Sequence, residues 1–162
     1  MGHDIRPTRS KCVDELEGAL LQPPYPTAMI ARIARARGVP IEDLSLGDLR
    51  LLVSQGEALS YLMPLALENL EKLPLREAEL YNGDLLLAAI HAHEKFGETP
   101  MYAERLRVVV ATAMEELSRV GPTDWEAEGP FDVTTSDETD REFLEPELRA
   151  AVERLKASRP AV

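Results

Sequence analysis

The feature that most constrains the fold is the spacing of apolar residues between Thr99-Pro100 and Gly121-Pro122. Tyr102, Leu106, Val109, Val110, Ala113, Leu117 and Val120 recur at offsets of three and four, while Glu104, Arg107, Glu115 and Ser118 fall on the other side. That is the signature of one long amphipathic helix, begun by a cap-then-proline pair and ended by Gly-Pro. The remaining apolar segments have the same period, and only Phe131 to Thr134 hints at alternation of period two. The expected class is therefore all-α, a compact bundle of about six to seven helices with an acidic, irregular segment before the last one.

The other helices follow from local signals. Val13, Leu16 and Leu20 suit a short helix over Lys11 to Leu21, stopped by Pro23, Pro24 and Pro26. Thr27 is placed to cap a basic helix over Ala28 to Arg37, carrying Arg32 and Arg35, with Gly38 as a left-handed stop. Ser45 and Asp48 form a variant capping box before Leu46, Leu49, Leu52 and Val53, and Gly56 ends that run. Leu62, Leu65, Ala66 and Leu70 mark a further helix, in which Pro64 is expected in the first turn with Ser60 near the cap. Asn82 is expected to cap a helix from Leu85 to about His93 that is apolar almost all round, the mark of a central position. The final helix is expected from about Pro146, turning Leu148, Ala151, Val152 and Leu155 inward. Residues 1–10 read as a loose arm, and residues 1–162 as a single domain.

Function classes narrow quickly. With 18 basic and 29 acidic residues the chain carries a net charge of −11, which opposes nucleic-acid binding and favours a cationic partner. No apolar run approaches the roughly 20 residues of a membrane span. No apolar export stretch is visible near the N-terminus, and Cys12 is the single cysteine; both point to the cytoplasm. His91 and His93 stand two apart on a helix, so they point away from each other and cannot share one metal ion. Cys12, next to Lys11 and Asp14, lacks the supporting groups that activate a thiolate and reads as a small semi-buried side chain. No phosphate loop, nucleophile elbow or metal-binding spacing is present. The expectation is a chain with no catalytic residues, no metal and no cofactor.

One surface feature stands out. Asp124, Trp125, Glu126, Glu128, Asp137, Glu138 and Asp140 belong to a stretch in which acids face a single Arg141, with aromatic residues embedded among them. It fits a solvated loop that aids solubility equally as well as a recognition surface for a basic protein, with aromatic anchors inside a negative field. The Arg32, Arg35 and Arg37 helix could serve an acidic partner, although a solvated charged face explains it more simply.

Three blocks then occur in order: Asp48-Leu49-Arg50-Leu51-Leu52-Val53-Ser54-Gln55, Tyr61-Leu62-Met63-Pro64-Leu65-Ala66-Leu67-Glu68, and Tyr81-Asn82-Gly83-Asp84-Leu85-Leu86. This succession, with the upstream prolines and arginine-rich helix, resembles the contact-dependent growth inhibition (CDI) immunity proteins over about residues 13–90. Val53-Ser54 replaces an isoleucine-glycine pair of that group, and Asn82 replaces a common proline, with the spacing unchanged. The resemblance implies a non-enzymatic immunity protein that binds the toxic C-terminal domain of a CdiA-type or related polymorphic toxin. Neutralisation would follow from occlusion of a basic active-site or substrate-binding surface, and Asp124, Trp125, Glu126, Glu128, Asp137, Glu138 and Asp140 are the candidate contacts. The alternative is a helical regulatory adaptor that binds another protein or self-associates; an enzyme using carboxylates in a deep pocket is a third class, for which the sequence offers no convergent acids.

Overall fold

A run without a polar side has to be surrounded. Helix α6 (Asp84–Phe96) buries Leu85, Leu86, Leu87, Ala88, Ala89, Ile90 and Ala92. It packs against α4 (Leu46–Gln55), α5 (Leu59–Lys72), α7 (Pro100–Arg119) and α8 (Glu138–Ala157). The computed structural model describes residues 6–97, 100–119 and 138–157. Among these, α1 (Arg6–Arg9), α2 (Val13–Glu17), α3 (Ala28–Arg37) and a 3-10 turn at Ile41–Asp43 complete the set, and no strand is present. The bundle is all-α, with six helices of ten residues or more among the described residues. The expected start of α7 and its inner face as far as Leu117 are borne out: it begins at Pro100 and buries Leu106, Val109, Val110, Ala113 and Leu117. Val120 and the Gly121-Pro122 stop lie outside the described residues.

Caps behave as their chemistry requires where the side chain can reach an orphan amide. Thr27 Oγ1 accepts from the Ile30 amide at 3.2 Å, and Ser45 Oγ accepts from the Asp48 amide at 3.1 Å. Gly56 ends α4 at φ +76°, and the Phe96 ring lies so close that a Cβ there would stand 2.6 Å from it.

Several boundaries differ from expectation, each for a local reason. Helix α2 stops at Gly18 (φ +67°) rather than reaching Leu21, because the glycine takes a left-handed turn whose amide bonds back to the Asp14 carbonyl. Gly38 is right-handed (φ −85°), so α3 ends on bonds to the Ala36 and Arg35 carbonyls without a left-handed residue. Pro64 lies inside α5, which starts at Leu59 after Ala58 in a left-handed conformation (φ +45°). The bond that Pro64 cannot donate would have gone to the Ser60 carbonyl, and Tyr102 Oη approaches that oxygen instead, at 3.5 Å. The α6 cap is Gly83 rather than Asn82, which is fully buried one residue earlier, and the helix runs on to Phe96.

Helix α8 begins at Glu138, eight residues before Pro146. The buried row Leu144, Leu148, Ala151 and Leu155 shows why: its helical spacing extends back past the proline. The N-terminal arm is not loose from Arg6 onward, because α1 packs against the 3-10 turn and Arg9 pairs with Glu68.

One buried group in this bundle opposes its stability. Glu116 Oε2 on α7 is buried without a hydrogen-bond partner, and burial pushes its carboxyl pKa up. A raised carboxylate pKa gives the native state the extra proton between the unfolded and folded values, so stability falls as pH rises through that window. Glu116→Gln is therefore expected to raise the melting temperature at pH 7 by about 2–4 °C. The gain should shrink as pH falls toward the unfolded carboxylate value, which thermal melts at pH 4 and pH 7 will check.

Candidate functional site

Two of the expected contact residues lie on a described element. Glu138 and Asp140 occupy the first turn of α8, where negative charge suits the positive end of a helix. Asp124, Trp125, Glu126, Glu128 and Asp137 lie outside the described residues, as does the Phe131–Thr134 stretch. On α6, His91 is exposed and His93 half-buried. Among the described residues, no three or more His, Cys, Asp or Glu side chains converge to hold a metal ion. Cys12 is buried at the N-cap of α2, where its amide donates to Glu15 Oε2 at 2.8 Å.

The charged residues of the first and third sequence blocks meet in one network, whereas Glu68 of the second pairs with Arg9. Asp84, only 3% exposed at the start of α6, turns its carboxylate away from the helix. It accepts from the amides of Ala78, Glu79 and Leu80 at 2.8–3.0 Å. Arg50 on α4 lies 3.7 Å from the same carboxylate through Nε and donates through Nη2 to Glu79 at 2.9 Å. Arg32 on α3 bridges Asp48 at 2.9 Å and Glu79 at 2.6 Å. Hydrogen bonds from Arg32 and then Arg50 hold the Glu79 carboxyl below the usual carboxylate range. Helices α3 and α4, the 73–83 connection and the start of α6 are thus tied by one network. Arg32 is committed to it and is no free basic face. Gly47 admits the contact, since a Cβ there would stand 3.2 Å from Arg32 Nη2. These residues build the fold; their charges are directed at each other.

A second network was not legible as such in the sequence. Arg37, 4% exposed, is buried rather than displayed on a basic helix. Its guanidinium donates to Asp14 at 2.8 Å, to Glu17 at 2.8 Å, to Glu57 and to the Ala19 carbonyl at 3.2 Å. Burial disfavours its charge, but the hydrogen bonds it donates to Glu17 and Asp14 and the field of Glu57 outweigh that, so its pKa stands above the ordinary guanidinium value. The signal available was spacing, because Arg37 falls four residues after Ile33, on the inward face of α3. Of the three arginines read as one basic face, Arg35 is the exposed one.

Arg37 holds the root of a segment that exposes several apolar side chains. Between Gly18 and Thr27 the chain carries Leu20 (68% exposed), Leu21 (42% exposed) and three exposed prolines, and Met29 (50% exposed) follows in α3. Leu20 was expected on an inner helix face; with α2 ended at Gly18 it has no core to enter. A second apolar surface is the groove of about 670 Å³ between α7 and α8, lined by Val110, Ala111, Met114, Val152 and Leu155, with Arg107, Arg149 and a single carboxylate, Glu153, also in its lining. Neither surface gathers groups suited to acid–base or nucleophilic chemistry; both are suited to contact.

The model of one known family, described as CDI immunity proteins, matches residues 16–106, more than half of the chain. No curated protein and no solved structure matches the chain significantly. The matched span contains all three sequence blocks, the Arg32–Arg50 network, and Arg37 with Glu17 and Glu57, while Asp14 lies just before it; the chain belongs to the CDI immunity protein family.

Proposed function

With membership in the CDI immunity family as the premise, we propose that this chain binds the toxic C-terminal domain of a CdiA-type or related polymorphic toxin and neutralises it stoichiometrically, by occlusion and without catalysis or cofactor. The family match over residues 16–106 carries the reading. The net charge of −11 supports the finer part, a basic active-site or substrate-binding surface on the toxin. Opposite charge steers encounter toward the roughly 10⁸–10⁹ M⁻¹s⁻¹ limit at low salt, and rapid capture suits an antidote that must act before the toxin turns over. Asp124, Trp125, Glu126, Glu128, Asp137, Glu138 and Asp140 are proposed as the contacts that provide this steering. The proposed site of action is the cytoplasm of the producing cell. No described helix is long and apolar enough to cross a membrane.

The test is co-expression with the toxin domain encoded beside this chain, scored for survival and co-purification. Survival at wild-type levels with a co-purifying pair is the expected result. Equal rescue by an unrelated acidic protein of similar charge would reduce the effect to electrostatics and end the specific reading. Unchanged binding and salt dependence after all seven positions are neutralised would remove the acidic contacts from it.

A further inference from the structure

We propose that the segment around Leu20, Leu21 and Met29 is an apolar anchor that seats in a hydrophobic pocket of the toxin domain, a pocket rimmed by basic groups. The inference rests on the immunity reading above and adds to it a second contact of different chemistry.

Exposure comes first. Leu20, Leu21 and Met29 lie within ten residues of each other and are 68%, 42% and 50% exposed. Pro23, Pro24 and Pro26 between them add exposed apolar surface, and none of these side chains joins the core. Exposed large apolar side chains gathered in one short segment cost free energy that polar residues would avoid, which is why such segments mark interaction sites.

The segment is also held in shape. It leaves α2 through Gly18 and enters α3 through the Thr27 cap, and Tyr25 Oη donates to the Leu21 carbonyl at 3.2 Å. Arg37 grips its first residue through the Ala19 carbonyl and the end of α2 through Glu17. The prolines remove backbone freedom from the part that no hydrogen bond reaches. A presenting surface that is ordered before contact loses less entropy on binding.

Charge selects the occupant. Three carboxylates, Asp14, Glu17 and Glu57, surround the single Arg37 guanidinium, so the root of the segment keeps a surplus of negative charge. Glu15, exposed on α2, is offset by Lys11 beside it and leaves that surplus unchanged. An apolar tip on an acidic root fits an apolar pocket with cationic edges. The α7–α8 groove of a second copy carries Arg107 and Arg149, but a chain of net charge −11 repels its own copy. The basic toxin domain of the proposed function is therefore the occupant that charge favours.

The experiment measures affinity for the adjacent-encoded toxin domain, made catalytically inactive, by titration calorimetry with the full chain. Leu20→Asp/Leu21→Asp is compared with Met101→Asp/Val108→Asp, which alters two equally exposed apolar residues on α7. The expected result is an affinity loss of a hundredfold or more for the first variant and less than threefold for the second, with melting temperatures unchanged. A loss below threefold in the first variant overturns the anchor, and so does an equal loss in both. A wild-type dimer in sedimentation that the first variant converts to monomer would assign the patch to a second copy and overturn it as well. Absence of any binding by the wild-type chain would instead be the failure of the immunity reading, and the anchor would fall with it.

Discussion

Asp84→Ala is expected to destabilise the fold by about 3 kcal/mol, a large share of the total for a domain of this size. The carboxylate is nearly sealed, and it serves three amide donors at once, those of Ala78, Glu79 and Leu80. Alanine leaves all three to find water or go unpaired, and strips Arg50 of one of its two acids. Each orphaned donor costs about 1–3 kcal/mol when buried, and the exposure of Glu79 and Leu80 keeps their share near the low end. Damage spreads because the next residue back is a docking point: Gly83 sits at φ +86°, and a Cβ there would stand 2.8 Å from Leu144 of α8. Asp84→Asn keeps one acceptor and should lose about half as much. Urea unfolding followed by circular dichroism checks both values, and equal losses for the two variants would contradict the three-amide account.

How much of this was legible beforehand depended on whether a signal was local. The cap at Thr27, the Ser45 cap, the stop at Gly56 and the seam of α7 need only neighbouring residues, and each is found as the pattern implies. The central place of α6 could be read because a helix apolar on every side admits no other. Pro64 misleads because the Ser60 carbonyl it leaves free is approached by Tyr102 Oη, a residue 42 positions along the chain from Ser60. The early start of α8 was hidden by acid-rich sequence around Leu144, whose burial is decided by Gly83 and α6. The site divides in the same way. The sequence blocks were recognisable as a set, yet the pairing of Asp48, Arg50 and Asp84 through Arg32 and Glu79 is tertiary. Arg37 looked like its neighbours Arg32 and Arg35 because composition does not separate a buried guanidinium from a solvated one. Only the acids brought in by α2 and by the turn after α4, Asp14, Glu17 and Glu57, make that burial tolerable.

Arg37→Met should be the other severe substitution, with a loss of about 3–5 kcal/mol. Methionine keeps the length and apolar stem but leaves three carboxylates converging on an uncharged side chain that is 5% exposed in the arginine form. Breaking a buried pair costs more than the pair contributes, since the remaining charges keep their desolvation and lose their partner. Glu17 and Glu57 are about one-third exposed and can turn toward water, which places the effect nearer 3 than 5 kcal/mol. Lysine restores the charge without the fork that reaches Asp14, Glu17, Glu57 and the Ala19 carbonyl together, so Arg37→Lys should recover only part of the loss. Salt discriminates between causes: repulsion among the carboxylates is screened, so the methionine variant should gain more stability than wild type on going from low salt to about 1 M. Adding Asp14→Asn, Glu17→Gln and Glu57→Gln to Arg37→Met should recover most of the stability, as the removal of a complete buried ionic cluster often does. The same variants separate stability from shape. If Arg37 holds the Leu20–Leu21 segment through the Ala19 carbonyl, amide exchange near residues 19–22 should rise in the quadruple variant even after global stability has returned. Unchanged exchange there would mean that the prolines and the Tyr25 bond alone set the segment, and that the buried arginine serves the core and not the apolar surface beside it.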